Sequence, residues 1–144
     1  MTALSIVIIG FVILETSNVI ALYFFPESKY ANAVGMFRAY ERSKQDPEVH
    51  DFVRYLVNWV AGTKLIFLLL LLVIVFTADT DTLLLTGLAM AVAVATFFWR
   101  LFPLVRRMDR EGQLDPSGYS MLLGVMIAAI VLIFVAATVI TGMA

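Results

Sequence analysis

Two residues of opposite charge, Glu15 and Lys64, lie inside long apolar stretches of the sequence. If both stretches are membrane helices, Glu15 lies roughly 15 Å along the helix from Phe25, and Lys64 lies roughly 18 Å from Phe52. Consecutive antiparallel helices therefore bring the two charges to nearly the same depth. Because an unpaired charge in hydrocarbon costs several kcal/mol, this spacing predicts that Glu15 and Lys64 form an ion pair.

Two asparagines extend the predicted polar site. Asn18 lies one helical turn from Glu15 on the same face, and Asn58 falls at a depth similar to that of Asn18 once the two helices are aligned. The sequence therefore predicts an intramembrane polar site made of Glu15, Asn18, Asn58 and Lys64.

This site is compatible with several functions. A structural ion pair would fix the packing and register of the helices. In a transport protein, Glu15 would bind a proton or cation and Lys64 would supply the counter-charge. We interpret the chain as a small, oligomeric transport or permeation protein. The main alternative is a non-catalytic accessory or assembly subunit of a larger membrane complex, and the third is a membrane-embedded enzyme that acts on a lipid-borne substrate.

Composition places the chain in a membrane and excludes several kinds of site. Hydrophobic residues make up 62% of the 144 residues and charged residues 15%, against roughly 45–50% and 25% in soluble proteins. The absence of cysteine excludes disulfides and thiolate ligands, and the single histidine, His50, excludes a histidine cluster within one chain. We predict no catalytic residue, no metal, no cofactor and no nucleic-acid partner.

Four apolar stretches are each near the ~20 residues that cross a bilayer. They predict an all-α integral membrane fold, a single domain over 1–144 with four transmembrane helices in an antiparallel bundle. The predicted helices span about 3–25, 47–78, 82–102 and 116–143.

Local signals set the predicted ends of these helices. Pro26 and Pro103 follow the first and third stretches, and proline does not continue a helix readily. Asp46-Pro47 and Asp115-Pro116 each place an N-cap residue before a proline, which is typical of a helix start. Thr80 or Asp81 is expected to cap the third helix.

The first loop has a pattern of its own. Between Ser28 and Gln45, apolar residues at helical spacing alternate with basic residues. This pattern predicts a short amphipathic helix on the membrane surface. A solvated connector is the alternative, which Gly35 and the mixed charges favour.

Basic residues are confined to two loops and their flanks, apart from Lys64. The positive-inside rule then places loops 26–51 and 103–115 in the cytoplasm and both termini outside, in a plasma-type membrane. Anionic lipid headgroups are expected to contact five arginines in or beside these loops, which are Arg38, Arg42, Arg106, Arg107 and Arg110.

The position of Glu15 in a first helix is similar to that of the membrane carboxylate in the small multidrug-resistance transporters, which also have four helices. That resemblance implies a transport function. This chain differs in its long basic first loop and in Lys64. Because four helices leave little room for a solvated pathway, we expect a homo-oligomer or a subunit of a membrane complex.

Overall fold

The four apolar stretches form helices that are long and apolar enough to cross a membrane. The structure is a computed structural model that describes residues 1–143. Its helices are α1 (Ala3–Phe24), α2 (Arg38–Ser43), α3 (Pro47–Thr77), α4 (Thr80–Ala95), α5 (Phe97–Arg110) and α6 (Tyr119–Met143). Helices α4 and α5 together form the third membrane span, Thr80–Arg110. The predicted all-α integral membrane fold with four spanning helices is confirmed.

The helices pack as two hairpins that share one interface. Helix α1 packs along α3, α4 packs along α6, and α1 also packs against α6, whereas α3 makes few contacts with α4. The bundle is therefore well packed on three sides and looser between α3 and the α4–α5 span. This unequal packing leaves space beside the predicted polar site.

The bundle has two halves along its long axis. The terminal half contains the two chain ends and the turn at 78–79, and the loop half contains the loops at 25–46 and 111–118. In the terminal half, Leu4, Ile8 and Phe134 are almost completely buried. The backbone N–H of Leu4 donates to Oγ1 of Thr141 at 3.1 Å, which ties the start of α1 to the end of α6.

The start of α3 is capped by the predicted residue, whereas the start of α4 is capped by a different one. The Asp46 side chain caps α3, with Pro47 in the first turn, as predicted. Helix α4 is capped instead by Asp79, whose Oδ1 accepts from the Thr82 N–H at 2.8 Å. The prediction of Thr80 or Asp81 was wrong by one or two residues because any of three successive polar side chains suits that cap.

The third span does not end at Pro103, contrary to the prediction. Pro103 lies within α5, and the helical path is interrupted only at Thr96. There the N–H of Trp99 donates to the Thr96 carbonyl oxygen at 3.0 Å, which is the tighter spacing of a 3-10 turn. Proline removes a single intrahelical hydrogen bond, and membrane helices tolerate this loss.

Helix α6 begins at Tyr119 rather than at Pro116. Its first N–H groups are capped from another helix: the Asp109 carboxylate accepts from the N–H of Gly118 at 2.8 Å and of Ser120 at 2.9 Å. Asp115 is therefore not needed as a cap, and it pairs with Lys29 instead.

The first loop is a folded connector in which only Arg38–Ser43, after a short 3-10 turn at Val34–Met36, is helical. The expected amphipathic helix over 28–45 is therefore reduced to six residues. Ala31 and Asn32 both have φ of 54°, which turns the chain back on itself. A Cβ at Gly35 would collide with the Glu27 carbonyl and lie 2.8 Å from the Ser28 carbonyl oxygen. This close approach of backbone to backbone interrupts the helical pattern.

Candidate functional site

The predicted ion pair is present at the α1–α3 interface. The ammonium group of Lys64 donates to the Glu15 carboxylate, and its Nζ also donates to Oδ1 of Asn18 at 2.5 Å. The side chains of Lys64 and Glu15 are 30% and 21% exposed, so neither is sealed in the core. Matching depth and opposite charge together predicted this contact.

Asn18 connects the ion pair to the first loop. Its Nδ2 donates to the carbonyl oxygens of Ala31 at 2.5 Å and Asn32 at 3.1 Å. Because both N–H groups and the oxygen of this buried amide have partners, its orientation is fixed from two sides. The left-handed backbone at Ala31 and Asn32 turns two successive carbonyls toward one amide.

The network continues from the loop to α6. Oδ1 of Asn32 accepts a hydrogen bond from the Tyr119 hydroxyl at 2.9 Å. A continuous set of polar contacts therefore runs from Glu15 through Lys64, Asn18 and Asn32 to Tyr119. Asn32 and Tyr119 could not be predicted as members of the cluster, because no local signal in the sequence shows that a loop folds over the helix ends.

Asn58 lies apart from this cluster. It is six residues before Lys64, which places the two side chains about 120° apart around the helix. Asn58 is exposed and lines a separate pocket with Tyr23 and Arg54. Among residues 1–143 it makes no hydrogen bond to Glu15, Asn18 or Lys64. Matching depth is thus not enough to bring two side chains together when their helical phase differs.

Two cavities meet at the ion pair. The larger, of about 770 Å³, lies among α1, α3, α4, α5 and α6 and is lined by both Glu15 and Lys64. The smaller, of about 520 Å³, lies between α1 and α6 beneath the first loop. Glu15, Asn18 and Asn32 line both cavities, as do Leu123, Ile127 and Ile130 of α6, so the polar cluster forms part of the boundary between them.

Arg100 of α5 brings a further charge to the larger cavity. Among the described residues, no carboxylate oxygen lies within 4.0 Å of its guanidinium nitrogens, and the group lies 5.4 Å from the ring centroid of Trp99. Arg100 was not among the residues predicted for the polar site. Its place inside the third apolar stretch was the available sign of a further role.

The five arginines predicted to contact lipid headgroups are all exposed, two on α2 and three on α5. The Arg106 guanidinium lies 6.0 Å from the ring centroid of Phe102, and Arg107 lies 4.0 Å from a Glu111 carboxylate oxygen. Exposure suits contact with headgroups, and the contact itself stays a prediction. The placement of these loops in the cytoplasm stays a prediction as well.

Outside the membrane, ion pairs connect the first loop to the last loop and stabilise the first loop internally. Lys29 pairs with Asp115 of the last loop, and the hydrogen bond that it donates lowers the pKa of that carboxyl group. Lys44 contacts Glu27 at 2.8 Å and Glu41 at 3.0 Å. Its hydrogen bond to Glu27 likewise lowers the pKa of the Glu27 carboxyl. These contacts hold the loop across the end of the bundle, over the smaller cavity.

Within residues 1–143, no three histidine, cysteine, aspartate or glutamate side chains lie close enough to hold a metal ion. No protein-family model matches the chain, and comparison with curated proteins and with solved structures finds no significant similarity. The resemblance to the small multidrug-resistance transporters therefore stays limited to the position of Glu15. Function must be inferred from the geometry of the polar cluster and its cavities.

Proposed function

We propose that this chain is a small transport or permeation protein whose site is the cluster of Glu15, Asn18 and Lys64. The observation that supports this proposal is the position of the ion pair between two cavities. A pair that only fixes packing is expected inside a close-packed helix interface, where its charges are satisfied by each other. Here the charges line spaces far larger than the ~30 Å³ that one water molecule occupies.

The contacts of Lys64 suggest how a proton bound at Glu15 would affect the first loop. A proton that adds to the Glu15 carboxylate neutralises it and removes its attraction for the Lys64 ammonium. Lys64 then remains hydrogen-bonded to Asn18, whose amide also holds the Ala31 and Asn32 carbonyls. A change at Glu15 therefore reaches the loop that covers the smaller cavity through two intervening side chains, Lys64 and Asn18.

One chain is enough to form these cavities, so the proposal does not depend on an oligomer. This differs from our expectation that a site would form between subunits. A homo-oligomer or a larger complex stays a prediction. With the first and last loops in the cytoplasm, as the basic residues predict, both cavities lie toward the cytoplasmic side.

The experiment is a proton-flux measurement in reconstituted vesicles. The purified chain is placed in vesicles that hold a pH-reporting dye, and a membrane potential drives protons inward. We expect faster acidification than in empty vesicles, and Glu15→Gln should lose most of that increase. The matched variant is Glu48→Gln, which neutralises an exposed glutamate in the first turn of α3 and should keep the rate.

Two results would reject the proposal. One is a flux equal to that of empty vesicles, which would favour the accessory-subunit alternative. The other is unchanged flux in the double variant Glu15→Leu with Lys64→Met, since the pair would then serve packing alone. A thermal unfolding measurement on each variant separates loss of activity from loss of folding.

A further inference from the structure

We infer that the larger cavity binds an amphipathic anion, a ligand with one acidic headgroup on a hydrocarbon chain. This inference rests on the proposed site and names the chemical class of its ligand. It follows from three properties of the cavity: the charges in its wall, the apolar character of the rest of the wall, and the side on which it opens.

The charges in the wall are unbalanced. Glu15, Lys64 and Arg100 are the charged side chains that line the cavity, so their formal sum is one positive charge. Lys64 already pairs with Glu15, whereas Arg100 has no carboxylate partner among residues 1–143. Arg100 is exposed along α5, and a carboxylate or phosphate accepts strong charge-assisted hydrogen bonds from an arginine that has no partner. The wall therefore favours an anionic headgroup near Arg100.

Lys64 can assist at the inner end of the same cavity. Two of its three N–H donors serve Glu15 and Asn18, and among the described residues the third has no partner. A polar atom of the ligand that accepts from this donor would satisfy the ammonium group. Within residues 1–143, Lys64 thus keeps one N–H donor free beside the cavity that Arg100 also lines.

The remaining wall suits hydrocarbon. Most of it consists of aromatic and aliphatic side chains, which include Phe11, Phe67, Leu68 and Val94. A ligand that is polar over its whole surface would lose its hydration there without gaining hydrogen bonds. The volume of about 770 Å³ lies within the ~300–1,000 Å³ range of small-molecule sites. An alkyl chain gains contact with this wall without any loss of hydration.

The ligand can enter from the membrane. Val60 on α3 and Leu101 on α5 both line the cavity, and each keeps 51% of its surface exposed. The gap between α3 and α5 is where the helices pack least. The cavity therefore opens sideways, toward the region that lipid chains occupy, and an amphiphile can slide in without leaving the bilayer.

The test is a binding measurement on the purified chain in nonionic detergent, with a fluorescent long-chain fatty carboxylate as the probe. We expect saturable binding that a long-chain carboxylate displaces, and that neither its methyl ester nor a short-chain carboxylate displaces. Arg100→Gln should weaken binding about tenfold, the effect of one lost charge-assisted contact. The matched variant is Arg106→Gln, an exposed arginine on the same helix that does not line the cavity, and it should bind like the parent.

A second pair of variants tests the cavity itself. Ala93→Phe places a ring into the cavity wall on α4 and should abolish binding. Ala89→Phe, at an exposed position one turn away that does not line the cavity, should leave binding intact. This pair keeps the inference open to rejection even if Arg100→Gln fails to fold.

Equal affinity for the methyl ester, or equal loss in Arg100→Gln and Arg106→Gln, would overturn the inference in favour of nonspecific association. Mass spectrometry of the purified chain distinguishes the two sources of the anion. A retained phospholipid that Ala93→Phe lacks assigns the membrane as the source, and displacement only by added fatty carboxylate assigns a free amphiphile. Binding without proton flux rejects the transport function alone, whereas flux without binding rejects this ligand class alone.

Discussion

The terminal half and the loop half of the bundle are built from similar apolar sequences but pack differently. In the terminal half, Leu4, Ile8 and Phe134 are at most 1% exposed, and the N–H of Leu4 donates to Oγ1 of Thr141 at 3.1 Å. In the loop half, the same helices separate around cavities of about 770 and 520 Å³. Polar side chains and a folded loop replace the close apolar packing there.

This difference shows where stability and activity are expected to lie. Helices in a bilayer associate through close packing, because lipid chains are as apolar as the helices themselves. The terminal half, where Gly87 lies against Leu4 and Thr138, has that packing. The loop half contains Glu15 and Lys64 together with the space for a ligand. Changes in the two halves should therefore affect different measurements.

The largest predicted effect compares one phenylalanine from each half. Phe134→Ala removes a ring that is 1% exposed in the terminal half and should lower the free energy of unfolding by about 4 kcal/mol. Phe97→Ala only enlarges an existing cavity and should cost about 1 kcal/mol. Reversible unfolding in mixed micelles measures both. Equal losses would show that the two halves do not differ in packing energy.

The next effect concerns the ion pair. Glu15→Gln or Lys64→Met alone leaves the other charge without its partner and should cost about 2 kcal/mol, below the ~3–5 kcal/mol of a fully buried pair because the two side chains are 21% and 30% exposed. The double variant Glu15→Leu with Lys64→Met should recover much of this loss. The same unfolding measurement applies. Single variants as stable as the parent would mean that solvent, rather than the partner, stabilises each charge.

The smallest effect lies outside the membrane, at the Lys29–Asp115 contact between the two loops. Because this contact lowers the pKa of Asp115, its stabilisation is present above the ordinary aspartate value of about 4 and is lost as pH falls through the lowered pKa. The parent chain should be slightly more stable than Asp115→Asn at pH 7. The difference between their unfolding midpoints should shrink as the pH falls below about 4. A difference that persists there would assign another role to Asp115.

The pairing of Glu15 with Lys64 could be predicted from helix rise, antiparallel order and the cost of leaving a charge unpaired in hydrocarbon. That Asn58 lies apart from this pair could also be predicted, once the positions of Asn58 and Lys64 around the helix are compared as well as their depths. The role of Asn18 could not be predicted in the same way. Its partners are the Ala31 and Asn32 carbonyls, and the backbone path of that loop depends on tertiary contacts.

The helix ends show the same limit of prediction from sequence. Asp46 caps its own helix, so a local signal was sufficient. Pro103 was expected to end a helix, but α5 continues through it, since the loss of one hydrogen bond does not outweigh the rest of a membrane helix. Local signals predict the elements well, whereas contacts between elements decide which of those signals are used.

The cap that Asp109 supplies to α6 has a consequence for how the chain enters the membrane during synthesis. Gly118 and Ser120 donate their N–H groups to a carboxylate on α5 rather than to a residue of their own segment. Since exposed N–H groups at a helix start need an acceptor, the final helix is complete only when its predecessor is already in place. The last two spans are thus suited to insertion as a joined unit, and moving α6 to a separate polypeptide would deprive it of its first two hydrogen bonds.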